Sequence, residues 1–268
     1  MSCHLGVPVL KVMKRKGVVQ SLGRKIRDAL IRVFPVEMRT AREHIIRLRN
    51  RSEMRVYYDL FVQRVYPFEI IQSAGNTVEK PVVFDAGANN GQFAAAVLDY
   101  WPDAFVHSFE PQKQLVGRIQ EFADINNLQS QIFPEWAAVG ARKGEQYFYQ
   151  NRNPMSASLI RGKAARRTIR RVVTVPVITL DDYADRHGIQ RVDIVKIDVE
   201  GSEVDALRGA DRVLERVRFL FVEVHPPFST FGEVAGLLTA KGLECIYPSP
   251  LPDDRMQVTC LFIRCERD

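Results

Sequence analysis

Asp85, Glu110, Asp198, Glu200, Glu223 and His225 each stand at or just past the end of an apolar run. Carboxylates at such ends accept hydrogen bonds from hydroxyl and ammonium groups, and a histidine beside them has the ordinary pKa best suited to proton transfer near neutrality. The clearest stretch is Val82-Val83-Phe84-Asp85-Ala86-Gly87-Ala88-Asn89-Asn90-Gly91, an apolar run that ends in an acid and a glycine-punctuated turn. Glycine at 87 permits an unusual φ and close approach of a ligand, and the helix read from Asn90 to Tyr100 offers unpaired N–H groups to negative charge. Glu110 closes Phe105-Val106-His107-Ser108-Phe109, about twenty residues past the glycines, where an acid accepts from both ribose hydroxyls. The layout predicts a nucleoside cofactor.

Two cofactor classes use this layout. A dinucleotide fingerprint wants G-x-G-x-x-G, with the second glycine clearing room for a pyrophosphate. Asn89 occupies that position. Asp85 would repel a pyrophosphate but suits the ammonium of a methionyl group, so the residues favour S-adenosylmethionine. A glycine turn after a strand is also, often, only a tight βα connection. Lys196 and Asp198 alternate with Val195 and Ile197 and so share one side of a strand. A buried lysine needs a carboxylate, and Asp198 or Glu223 is the expected partner. The pair either orients the rim or sets Lys196 near an acceptor to favour an alkoxide.

A parallel sheet would bring these groups to one edge, because ligands bind beyond the carboxyl ends of its strands. Strand and helix patterns alternate accordingly, predicting an α/β fold with a seven-stranded, mostly parallel, doubly wound sheet. The strands are read at 82–86, 105–109, 131–139, 192–197, 219–226, 243–247 and 256–264, with helices near 113–126 and 231–240. Thr179 is read as the N-cap of a short helix, and another runs from Gly201 toward Leu207. Segments 145–150 and 171–178 interrupt the order as an antiparallel pair. Between them lies a basic connection, 151–170, with Arg161, Lys163, Arg166, Arg167 and Arg170 and no acid. Its length and charge suggest a lid that attracts an anionic substrate.

The chain of 268 residues, 46% hydrophobic, can bury one sizeable core. We read residues 1–78 as a basic helical N-terminal extension and 79–268 as the catalytic domain. Leu22, Ile26, Leu30 and Val33 follow helical spacing, and Ala41, Ile45, Leu48, Val56, Leu60 and Phe61 form a second such pattern flanked by Arg42, Arg47, Arg49, Arg51 and Arg55. Residues 1–65 hold 15 Lys+Arg against 5 Asp+Glu, and the remainder 23 against 27. The basicity therefore belongs to the front, either as a solvated face or as a peripheral contact with the inner membrane surface. With no apolar run of membrane-spanning length and no basic-then-apolar leader, the expectation is a cytoplasmic protein. Cys3, Cys245, Cys260 and Cys265 lack metal or disulfide spacing.

From Pro81 to Pro226 the chain resembles the FkbM-type S-adenosylmethionine-dependent methyltransferases. The likeness rests on VFDAGANNGQF, SFEP, AAVG at 137–140, SASL at 156–159, VITLDDY, DIVKIDVEGSEVDALRGA and VEVHP, in that order. It implies O-methylation of sugars, glycans or glycolipids, or secondary metabolites. By the same resemblance Asp85, Gly87, Ala88, Asn89, Asn90 and Gly91 hold the methionyl end, Glu110 with Pro111 the ribose, and Asp198 lies beside the sulfonium. Trp136 stands where the family usually has asparagine, so Trp136, next to Ala137, either stacks on adenine or fills core.

Methyl transfer is an in-line displacement whose main demands are positioning and removal of a proton. His225 is the expected base, with Glu200 or Asp198 as alternatives and Lys196 in support. In a second version Asp198, Glu200 and Glu223 hold Mg²⁺, which lowers the hydroxyl pKa. The chain lacks the Asn/Asp-Pro-Pro-aromatic turn of amino-group methyltransferases. Competing readings are an RNA ribose O-methyltransferase, a dinucleotide oxidoreductase, and a non-catalytic adapter tethered by its basic helices. Nucleic acid is disfavoured because the positive charge sits outside the catalytic segment, without interleaved aromatics.

Overall fold

The computed structural model describes residues 35–73, 78–151, 157–165, 168–248 and 257–264. The expected helix over 12–33, together with Arg166 and Arg167, lies outside them. Among the described residues no helix is long and apolar enough to cross a membrane.

Seven strands form the central sheet: β3 (Val82–Ala86), β4 (Phe105–Phe109), β5 (Ile132–Glu135), β9 (Ile194–Ile197), β10 (Phe219–Val224), β11 (Leu243–Tyr247) and β12 (Val258–Arg264). Their spatial order is β11-β12-β10-β9-β3-β4-β5, parallel from β5 to β10 and antiparallel at β12 and β11. The chain starts mid-sheet at β3, runs outward to β5, then returns to β9 on the other side. The switch point therefore falls between β3 and β9, with Asp85 in register with Lys196. Strand alternation sends Val83, Ile194, Phe219 and Phe221 to one core, and Phe84, Val195, Leu220 and Val222 to the other. The helices α3 (Gln92–Tyr100) and α4 (Lys113–Ile125) cover the first face, while α6 (Leu180–Arg186), α7 (Glu203–Arg208), α8 (Asp211–Leu214) and α9 (Phe231–Thr239) cover the second. Thr179 does cap α6, its side chain accepting from Asp182 N.

The strand expected at 131–139 is in fact two. After β5 the chain turns at Trp136, with Ala137 N donating to Glu135 O. Ala138–Val139 then forms β6, which joins β7 (Gly144–Asn151) and β8 (Ile169–Ile178) in a separate three-stranded sheet. The anticipated antiparallel pair is β7 and β8, and their connection carries the short helix α5 (Arg161–Ala165).

The front of the chain is not wholly helical. Residues expected in one amphipathic helix fold as a hairpin, β1 (Val36–Arg39) with β2 (Ile45–Leu48), before α1 (Arg51–Tyr57), a π-helical turn (Tyr58–Val62) and α2 (Phe68–Ser73). The alternation of Ile46 and Leu48 into the core has period two, and Ile45 and Leu48 alone had mimicked a helical pair. Asp99 holds the hairpin turn, accepting from Thr40 Oγ1 at 2.6 Å, Ala41 N at 2.9 Å and Arg42 N at 3.1 Å. Asn126 closes the edge of β2 through both N and O of Ile45.

Several arginines of this segment are not a free cationic face. Arg47 pairs with Glu37 and Glu121, Arg49 with Glu121, and Arg55 with Asp59. The segment also shares its core with the sheet through Ile46, Leu48, Tyr66, Phe68 and Ile71. Its tightest anchor is Glu53, whose side chain is 5% exposed and pairs with Arg118 of α4, while Arg49 N donates to Glu53 Oε2 at 2.6 Å. Removing one member of a buried pair strands the other charge. Glu53→Ala should therefore lower unfolding free energy by about 3 kcal/mol, read by urea denaturation; a change within experimental error would contradict the anchor role.

Candidate active site

Between the ends of β3 and β4 lies a cleft of about 610 Å³, counting the part open to solvent. Gly87, Asn89, Glu110, Pro111, Ala137, Phe148, Ala157 and Asp198 are among the residues lining it. Gly87 and Ala88 both donate their N–H to Phe109 O at 3.0 Å, tying the glycine turn to the end of β4. Glu110 is buried and accepts from Asn89 N at 2.9 Å and Gln112 N at 3.0 Å. Burial nevertheless pushes its carboxyl up to about 7.

Asp85 is fully buried. Its counter-charge is Lys196, 3.1 Å away, whose Nζ donates to Gly87 O at 2.8 Å and lies 3.6 Å from Asp198. The partner of Lys196 is thus first Asp85, which sequence reasoning did not choose. A lysine so enclosed, only 5% exposed at its side chain, braces the turn from below rather than meeting an acceptor. Asp85 Oδ2, on the side away from that ion pair, has no hydrogen-bond partner among the described residues.

Trp136 does not stack in the cleft. Its indole N–H donates to Pro111 O at 2.8 Å, and Lys113 Nζ sits 3.8 Å over its ring, so Trp136 braces Pro111 while Ala137 lines the cavity. Asn90 also faces elsewhere: its side chain accepts from Gln92 and borders a smaller cavity with Arg47, Arg49 and Arg118. Gly91 caps α3 at φ 84° beside Ile119.

On the other side of Asp198 the acids expected at the rim do converge. His225, 1% exposed, directs Nε2 toward Glu223 at 3.7 Å, Glu200 at 3.8 Å and Asp198 at 4.0 Å. Its Nδ1 lies 3.0 Å from Glu203 Oε1. Glu203 is fully buried at the start of α7, and its other oxygen accepts from Ser229 Oγ. Burial opposes charge on the imidazole, but the Glu203 hydrogen bond and the charges of Asp198, Glu203 and Glu200 outweigh it and push its pKa up to about 9. Glu223 is pushed up to about 7 by the Asp198 charge and by burial. The imidazole is thus fixed at Nδ1 by Glu203 and turns Nε2 to the three rim carboxylates.

Glu203 was missed as a site residue. Its signal was its place two residues past Gly201, in a turn that returns it beneath the strand ends. Lys163 of α5, one of the cations of the expected lid, reaches Glu200 at 3.0 Å, and Ser158 Oγ donates to Glu200 O at 2.8 Å. The β7–β8 connection therefore closes onto the rim, as a lid would, but of its described cations Lys163 is held by a rim carboxylate.

The described donors that lie close enough to share an ion are Asp198, Glu200 and His225, within 4.8 Å of one another. Glu223 instead accepts from Gln257 at 2.8 Å. Lys196 already faces Asp198, and Lys163 already faces Glu200. Asp198 and Glu200 thus have cations within the protein and Glu223 stands outside the cluster, so the donor set does not fit a resident Mg²⁺ held by Asp198, Glu200 and Glu223.

The family model described as "Methyltransferase FkbM domain" matches residues 85–245. The chain is 26% identical over 155 residues to the 2-O-methyltransferase NoeI of Sinorhizobium fredii, covering 53% of this chain and 63% of NoeI, less than two thirds of that relative. It is 25% identical over 218 residues to the 31-O-demethyl-FK506 methyltransferase FkbM of Streptomyces tacrolimicus, covering 71% of this chain and 82% of that one. The hexuronic acid methyltransferase AglP of Haloferax volcanii is 26% identical over 147 residues, 55% of this chain and 57% of AglP. The crystal structure of methyltransferase FkbM from Methylobacillus flagellatus shares the fold at a TM-score of 0.51 and 17% identity, over 72% of this chain and 46% of that one. With the matched segment running from Asp85 at the end of β3 to Cys245 in β11, this chain belongs to the FkbM methyltransferase domain family.

Proposed function

We propose that the chain transfers the methyl group of S-adenosylmethionine to a hydroxyl of a sugar, glycan, glycolipid or secondary metabolite. The observation that carries this reading is the Glu203–His225 pair, 3.0 Å apart, opening onto Asp198 at the end of the cleft. The cleft fits the donor on its own features. Asp85 Oδ2 is buried without a hydrogen-bond partner among the described residues, the turn at Gly87 lines the cleft, and Glu110 is placed for vicinal hydroxyls. When bound, S-adenosylmethionine supplies an electrophilic methyl on a positively charged sulfur.

The protein's tasks are then to align the acceptor oxygen and take its proton. His225 performs the second as a neutral imidazole, held by Glu203 in the tautomer that leaves Nε2 free. A cation beside Asp198 lowers the pKa of His225, so filling the cleft brings the base closer to its working form. Lys163 and Ser158 fix Glu200 and so fix the acceptor's side of the mouth. Two relatives carry names that specify oxygen, 2-O and 31-O, which supports an alcohol as the acceptor.

The rim of Asp198, Glu200 and Glu223 opposes a polyanion and favours an uncharged hydroxyl-bearing acceptor over an anionic one, which counts against RNA. Contact of residues 1–65 with an anionic inner membrane surface would depend on cations other than the paired Arg47, Arg49 and Arg55. The test is transfer of label from methyl-labelled S-adenosylmethionine into an extract of the producing cell, followed by identification of the labelled bond. An oxygen-linked methyl on a small molecule or glycan, formed equally in excess EDTA, is expected. Label on nitrogen, label removed by ribonuclease, or no turnover by well-folded protein would each defeat the proposal.

A further inference from the structure

The segment ahead of the family match packs a tyrosine against the sheet beside the switch point. Tyr66 lies between the π-helical turn and α2, its ring 7% exposed and edge-on to Phe93 at 5.0 Å and Phe221 at 5.2 Å. Phe221 is the register partner of Lys196, and Lys196 is that of Asp85. Lys196 Nζ in turn lies 5.7 Å from the Phe93 ring. Tyr66 therefore covers the sheet column that ends at the switch point, on the face that carries Asp85, Lys196 and Asp198. No described residue takes a hydrogen bond from its hydroxyl.

From this placement we propose that the Tyr66 hydroxyl donates a hydrogen bond to the methionyl carboxylate of the bound donor, while Asp85 faces the methionyl ammonium. The inference rests on S-adenosylmethionine as the donor. An amino-acid zwitterion needs both an acid and a donor within a few ångströms, and the nearest charged donor, Lys196, is already held by Asp85, Asp198 and Gly87 O. A phenol suits the second task in a chamber rich in carboxylates. Burial and the charges of Asp198, Glu223 and Asp85 raise its pKa well above the ordinary value, so it stays protonated and can only be a neutral donor.

Calorimetry on the full chain separates this role from packing. Two probes serve: S-adenosylhomocysteine, which has the methionyl group, and 5′-methylthioadenosine, which lacks it. Tyr66→Phe keeps the ring and should weaken S-adenosylhomocysteine about tenfold, a typical loss for one hydrogen bond to a charged group, with methylthioadenosine affinity and Tm unchanged. Phe68→Leu, a packing change in the same core, should lower Tm and leave both affinities alone. If Tyr66→Phe binds S-adenosylhomocysteine like the wild type, or loses both probes equally, the assignment is wrong. If the wild type binds neither probe, the donor itself has been misread.

Discussion

His225→Asn is expected to lower kcat by about 10²–10⁴-fold, measured with the acceptor identified by label transfer, while S-adenosylhomocysteine affinity stays within about twofold of wild type. Asparagine can still offer an N–H toward Glu203, so the buried carboxylate keeps a donor, but it places no base where Nε2 stood. The wild-type pH dependence gives an independent check. A base whose pKa is raised works only when deprotonated, so kcat/KM should rise with pH toward about 9 and then level.

Stability runs the opposite way. The folded pKa of His225 lies above that of the unfolded chain, so its contribution is complete below about 6.5 and is lost as pH rises through about 9. In His225→Asn both trends should flatten together. An activity that falls, rather than rises, through pH 9 would instead make the imidazolium the active form, and a His225→Asn enzyme with wild-type turnover would remove the base altogether.

Much of this site was legible because strand ends are legible. An apolar run followed by an acid marks a buried parallel strand and its exit, and Asp85, Glu110, Asp198, Glu223 and His225 all read that way and all reach one edge. Partnerships across the sheet were not legible. Lys196 pairs first with Asp85 because β9 and β3 are neighbours, a fact of strand order that local alternation does not contain. Glu203, and the contact of Lys163 with Glu200, were hidden for the same reason. Each comes from a turn or an insertion, and only the fold returns it to the rim.

The misread hairpin at 36–48 shows another limit. Four-residue strands give too few turns of pattern to separate period two from 3.6, and the groups that stabilise this one, Asp99 and Asn126, lie far along the chain. Trp136 was ambiguous for a further reason. Whether an indole stacks on a ligand or braces a neighbour depends on where its N–H finds an acceptor, and here that is Pro111 O.

Gly87→Ala should remove donor binding and destabilise the fold together, which few single substitutions at the site would do. The residue has φ +81°, where a side chain costs roughly 1–2 kcal/mol. A Cβ there would also stand 1.9 Å from Asp198 O, a backbone atom that cannot swing aside as a side chain would. The β3 turn and the β9 exit would have to part. That movement pulls Gly87 O from Lys196, loosens the pairing of Lys196 with Asp85, and shifts Asp198 away from His225.

We expect a loss of about 3 kcal/mol or more in urea unfolding, at the upper end for a strained backbone position, and S-adenosylhomocysteine binding at least a hundredfold weaker. Asp85→Asn is the companion measurement. It leaves the turn's backbone free of strain and removes only the charge that balances Lys196, so it should weaken the same ligand with a smaller loss of stability. A Gly87→Ala protein that binds S-adenosylhomocysteine normally would mean that the cleft between the ends of β3 and β4 is not where the nucleoside lies.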